Sequence, residues 1–156
     1  MAKALNVLSL CYRTALYLHY AKLQEPRGRY AYHLDEPGLC GHVDMKGGEA
    51  ERCAETFLLH QRLRLLERNY RCRFGEIDLI MRDGEVLVFV EVRLRTSLVF
   101  GGAAASITSL KQAKLLRTAQ HYLAGLKAVP PCRFDAVLLS GSNGGKIEWI
   151  KNAFDE

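Results

Sequence analysis

Asp78 and Glu91 are the residues whose type and setting point most directly to chemistry. Each interrupts an apolar run, Ile77-Asp78-Leu79-Ile80 and Phe89-Val90-Glu91-Val92, where a strand would otherwise be hydrophobic. Between them stands Asp83-Gly84, a strong hairpin signal because a type I′ turn needs positive φ at both central residues. With those two residues as the loop, Ile77 faces Val90, Leu79 faces Val88 and Met81 faces Val86, which makes one apolar face. Asp78 and Glu91 then become diagonal neighbours on the other face, with Cβ atoms roughly 7–8 Å or less apart. Two half-buried carboxylates at that separation are costly unless a positive group lies between them. Mg²⁺ or Mn²⁺, held by carboxylate oxygens with a phosphate completing the shell, meets that need, and so does the neighbouring Arg93. The simpler reading is a solvated sheet face on which Glu91 pairs with Arg93 or Arg95.

The elements that must position these groups are legible from periodicity. Ala50, Cys53, Ala54, Phe57 and Leu58 recur at helical spacing and predict an amphipathic helix from Glu49 to about Gln61. Glu51 on that helix is a candidate third carboxylate, or simply a favourable charge near the helix N-terminus. Leu63 to Tyr70 reads as a strand with an irregularity, and it makes three adjacent antiparallel strands with the hairpin. Residues 96–105 read as a loop around Phe100-Gly101-Gly102. A long helix is expected from Ser106 or Thr108 to Lys127, with Leu110, Ala113, Leu116 and Leu123 as its core stripe and its lysines exposed. Pro130-Pro131 stops it. A buried strand from Phe134 to Leu139, a turn at 141–145 and a last strand from Lys146 to Ile150 complete the order α-β-β-β-α-β-β, a three-layer α/β arrangement. Residues 46–156 are expected to form this domain. Residues 1–45 read as an extension: a weak helix or disordered arm to about residue 24, then a linker rich in Gly and Pro. Met45, at the end of that linker, is a candidate start of translation.

The 156 residues carry 22 Lys and Arg against 17 Asp and Glu, a net charge of +5. The excess is modest, but its placement suits a polyanion, because Arg62, Arg64, Arg68, Arg71 and Arg73 precede the hairpin, Arg93 and Arg95 follow it, and Lys111, Lys114 and Arg117 lie on the later helix. Cys11, Cys40, Cys53, Cys72 and Cys132 are scattered and contain no C-x-x-C pair, which predicts neither a zinc site nor a disulfide framework and favours a reducing cytoplasm. Cys53 and Cys132 read as small core residues. The five histidines show no paired ligand spacing. No apolar run is long enough to span a bilayer as a helix, so no membrane partner is expected.

Gly75-Glu76-Ile77-Asp78-Leu79-Ile80, Phe89-Val90-Glu91-Val92-Arg93 with Arg95, Phe100-Gly101, Lys111 and Arg133-Phe134-Asp135 together resemble the YraN family of predicted nucleases, over about residues 46–154. The resemblance implies a restriction-endonuclease-like core of the PD-(D/E)XK superfamily, related to Holliday junction resolvases, with a mixed central sheet and its D…(E/D)-x-K signature on a hairpin. It implies that Asp78 and Glu91 bind Mg²⁺ or Mn²⁺, with Glu51 at the family's helix glutamate and Ala50 in place of the preceding glycine. The substrate class implied is DNA, including branched or recombination intermediates. On that reading Asp78, Glu91 and Arg93 are the candidate catalytic groups, and cations of the basic rim, Arg71, Arg73, Arg95 and Lys111, are expected to grip the nucleic acid. A homodimer is open to such a fold. Arg93 departs from the motif, which has lysine there. Lysine can exchange a proton in a site, whereas arginine orients and stabilises charge. Either Lys111 substitutes from the helix, or the protein binds nucleic acid with weak or no hydrolysis.

Overall fold

The computed structural model describes residues 28–33, 47–95, 108–140 and 146–153. These form strand β1 (Gly28–His33), helix α1 (Gly47–His60), strands β2 (Arg64–Cys72), β3 (Gly75–Asp83) and β4 (Val86–Arg95), helix α2 (Ser109–Ala124) and strands β5 (Cys132–Ser140) and β6 (Lys146–Lys151). One mixed sheet runs in the order β1-β6-β5-β4-β3-β2. Among the described strands only the β4 to β5 contact is parallel, and α2 supplies the crossover that a parallel pair requires.

The α-β-β-β-α-β-β order and the α/β architecture expected from the sequence are present, with the two helices on opposite faces. On one face, Ala50, Cys53, Ala54, Phe57 and Leu58 of α1 cover Leu79, Met81, Val88, Val90 and Val137. On the other, Leu115, Ala119 and Leu123 of α2 cover Ile80, Leu87, Phe89, Phe134 and Ala136. A bidentate pair ties α1 to the outer strand, because Arg68 donates from Nε to Glu55 Oε2 at 2.5 Å and from Nη2 to Oε1 at 2.6 Å.

β5 is buried along nearly its whole length, and it carries two charges into the core. Arg133 Nε donates to Asp135 Oδ1 at 3.0 Å and its Nη2 to Asp83 Oδ2 at 2.8 Å. Asp135 also accepts from Trp149 Nε1 at 3.0 Å and from the Asn152 backbone N–H at 3.1 Å. Buried charges of this kind persist because each is paired and hydrogen-bonded.

Four expectations are corrected. The hairpin loop is Gly84-Glu85, not Asp83-Gly84: Asp83 stays in β3 opposite Val86, so Leu79 pairs with Val90 and Met81 with Val88. Gly84 has φ +57° while Glu85 has no positive φ, the pattern of a type II′ turn with glycine in its first central position. The core stripe of α2 is rotated in part: Leu123 is buried and Leu116 packs at the core's edge as expected, but Leu110 is 70% exposed and Ala113 exposed, while Leu115, Thr118 and Ala119 face the sheet. Residues 28–33, read as linker, form a strand antiparallel to β6. An edge strand depends on its partner rather than on its own periodicity, and Tyr30 meets Trp149 with ring centroids 6.2 Å apart. Cys53 is buried but disulfide-bonded, a pairing that scattered spacing along the chain cannot reveal. The readings for residues 1–24, Met45, the 96–105 loop and the 141–145 turn lie outside the described residues. No described helix is long and apolar enough to cross a membrane.

Candidate functional site

The ladder between β3 and β4 runs from Asp83 opposite Val86 to Leu79 opposite Val90. The next step would set Asp78 against Glu91, directly opposite rather than diagonal. There the ladder ends, and Asp78 Oδ2 instead accepts the Val92 N–H at 2.8 Å. A side chain has replaced a backbone partner, which opens a notch between the strands.

The other edge of β3 explains how. Arg68 pairs with Leu79 and Tyr70 with Ile77, and between them Asn69 takes φ +49°, a conformation that asparagine tolerates better than most residues. Alternate residues of a regular strand share a face. Here Leu79 packs under α1 while Ile77 packs under α2, and Arg68 reaches α1 while Tyr70 packs on the α2 side. Both strands exchange faces at the Asn69 and Asp78 level without a change of register, whereas the irregularity in their pairing lies earlier, between Leu65 and Glu67. Asp78 therefore sits at a crossing from which both helical layers act on it.

Glu91 is 3% exposed. Lys111 Nζ donates to its Oε1, and Arg93 Nε lies 3.1 Å from the same oxygen. The Arg93 contact is an ion pair without hydrogen-bond alignment, and that buried Nε has no hydrogen-bond partner among the described residues. Lys111 reaches inward because it stands one turn before Leu115, on the rotated stripe that faces the sheet. Thr108 caps this helix and accepts the Lys111 N–H at 3.3 Å.

The Asp78 carboxyl is pushed up to about 7, first by burial, then by the Glu91 charge and more weakly by Glu51, against the Val92 N–H and Lys111, which favour its ionised form. Unfolded, the same group titrates near ~4, so between there and about 7 the folded state holds the extra proton. Its contribution to stability is therefore greatest below ~4 and is lost as pH rises through about 7. In chelator, the denaturation free energy of wild type minus that of Asp78→Asn should fall across this window. A flat difference would mean that the carboxyl titrates normally.

The sequence candidates separate into groups. Asp78, Glu91, Arg93 and Lys111 come together. Glu51 acts on Asp78 through its charge, but among the described residues no three His, Cys, Asp or Glu side chains converge into a cation cage. Arg71 and Arg73 are exposed at the end of β2, with Arg71 Nε 3.2 Å from Glu76. Arg95 ends β4, its side chain outside the described residues. Lys111, expected to grip nucleic acid or to substitute for the motif lysine, lies against Glu91. The i, i+4 relation of Lys111 to Leu115 is the signal in the sequence that points Lys111 inward, and the neighbouring apolar Leu110 masks it. His121 bonds Tyr70 Oη through Nδ1 at 2.7 Å, and His60 is exposed.

A family model described as "Uncharacterised protein family UPF0102" matches residues 50–139, from α1 into β5. A UPF0102 protein of Nitrosomonas europaea is 67% identical over 111 residues, covering 71% of this chain and 94% of the relative. One from Methylobacillus flagellatus is 55% identical over 108 residues (69% and 95%), and one from Psychromonas ingrahamii is 50% identical over 120 residues (77% and 98%).

Proposed function

The chain belongs to the UPF0102 or YraN family, and from that premise and the notch between β3 and β4 we propose that it is a metal-dependent endonuclease hydrolysing phosphodiester bonds in DNA. The observation that carries this reading is the convergence of Lys111 from α2 on Glu91, beside Asp78 at the ladder's end. A carboxyl held up to about 7 by burial and two neighbouring acids marks a place short of positive charge, which is the setting a divalent cation fits.

Asp78 and Glu91 would hold Mg²⁺ or Mn²⁺, with Glu51 adding attraction from α1. Bound there, the ion would polarise the phosphate and lower the pKa of an attacking water. Lys111 takes the part of the motif lysine from a different element, its ammonium positioned by Glu91 to orient the water and neutralise charge on the phosphate. Arg93, with a buried Nε not committed to a hydrogen bond, turns toward a phosphate oxygen and stabilises the charge that develops there.

Arg93 in the motif position favours a second reading, a nucleic-acid-binding protein of the same fold with weak or no hydrolysis. Incubation of supercoiled and branched DNA with the protein in Mn²⁺, Mg²⁺ or chelator separates the two. Metal-dependent nicking is expected, and Lys111→Met should slow it by about 10²–10³-fold, the usual loss for one positioned charge-stabilising group. Absence of cleavage on every substrate would establish the binding protein instead, and full activity in Lys111→Met would remove Lys111 from the mechanism.

A further inference from the structure

A cleft of about 680 Å³ opens from Lys111 toward the surface, between the β2–β3 turn and the first half of α2. Arg71, Cys72, Glu76, Leu110, Lys111 and Lys114 line it. Its width depends on Gly75, which takes φ +150° and lets the turn lie close on α2, since a Cβ there would come within 3.2 Å of Thr118 Oγ1. The walls are of two kinds. Lys114 and Arg71 offer exposed cations, the latter partly offset by Glu76 at 3.2 Å. Leu110 offers an apolar side chain that is 70% exposed. At the tip of the turn, beyond the residues that line the cleft, the Arg73 guanidinium lies 4.7 Å over the Phe74 ring.

A ligand that suits these walls carries negative charge and presents apolar surface beside it. Single-stranded nucleic acid does both, through phosphates and unpaired bases. A duplex does not, because its bases are stacked inward and the cleft, within the range of small-ligand sites, is too small to admit it. We propose that this cleft seats a nucleotide or two of single-stranded nucleic acid flanking the phosphate at Asp78 and Glu91, with phosphates on Arg71 and Lys114 and a base against Leu110. The inference deepens the nuclease reading by naming the substrate's shape, and it rests on that reading only for which phosphate is cut.

Binding to the full chain in chelator, where nothing is cleaved, tests it directly. Fluorescence anisotropy with a short labelled oligo(dT) and with a duplex of equal length is expected to show the single strand bound at least about five times more tightly. Leu110→Ser and Lys114→Gln, both at exposed positions, should each weaken the single strand by about 5–10-fold, with unchanged thermal melting. Glu76→Gln should tighten it. Alkylation of Cys72 by iodoacetamide, read by peptide mass mapping, should slow when oligo(dT) is added. Equal affinity for the duplex, equal competition by poly-glutamate, variants within about twofold of wild type, or Cys72 alkylation indifferent to the oligonucleotide would each overturn the proposal. A protein that binds as described yet cuts nothing in Mn²⁺ refutes the nuclease and leaves the cleft. A nuclease indifferent to Leu110 and Lys114 refutes the cleft and leaves the nuclease.

Discussion

Asp78→Asn should lower the rate of Mn²⁺-dependent DNA cleavage by about a thousandfold or more, because a metal held by carboxylates supplies several kcal/mol of transition-state stabilisation and an amide is a poor substitute ligand. The substitution is chosen for what it retains. The amide oxygen can still accept the Val92 N–H that the carboxylate accepts at 2.8 Å, so the notch between β3 and β4 should keep its shape. Neutralising a carboxyl that already resists ionisation should also stabilise the fold above pH 7 or so in chelator. Loss of cleavage together with equal or higher resistance to denaturation is therefore the expected pair of results. Single-turnover cleavage of a labelled substrate beside a urea titration measures both. Cleavage at the wild-type rate would place the activity elsewhere, in a contaminant or at other residues.

Asp135→Ala should lose about 3–5 kcal/mol of stability, the range found when one partner of a buried ion pair is removed. Asp135 is fully buried and accepts bonds from Arg133, Trp149 and the Asn152 backbone, all of which the substitution leaves without that acceptor. Most of the cost is the Arg133 guanidinium, 2% exposed, deprived of Asp135 while its contact with Asp83 remains. Asp135→Asn keeps an acceptor and should lose less. Replacing both Arg133 and Asp135 with apolar residues of similar volume should recover much of the loss, since the desolvation of both charges is then avoided. Urea denaturation of the three variants measures the series, and a loss below about 1 kcal/mol for Asp135→Ala would show that water or a shifted side chain replaces the carboxylate.

These two carboxylates differ in a way that bears on function. Asp135 is surrounded by donors that satisfy it within the fold. Asp78 has one backbone donor and two like charges acting on it, with Lys111 as the opposing cation. The first is structural by its surroundings, and the second is poised for a ligand by its surroundings.

The sequence by itself determined the family, the order of elements from α1 onward and the pair of acids. Each follows from information local in the chain: glycine and aspartate at a turn, apolar residues at helical or alternating spacing, and the motif around Asp78 and Glu91. It also set the face of β4 on which Glu91 lies. The true loop shifts β4 by two residues against β3, and because side chains alternate with a period of two the acids stayed on one face while becoming opposite rather than diagonal. What the tertiary structure alone decided is how far side chains reach across elements. The rotation of α2 that buries Leu115, exposes Leu110 and carries Lys111 to Glu91 is fixed by packing on the sheet, chiefly against β3, since the helix contains enough apolar residues for more than one stripe. The exchange of faces at Asn69 and Asp78, which ends the ladder and makes the notch, comes from one positive φ and a competing side-chain hydrogen bond. Periodicity cannot record either of them, because both are departures from it.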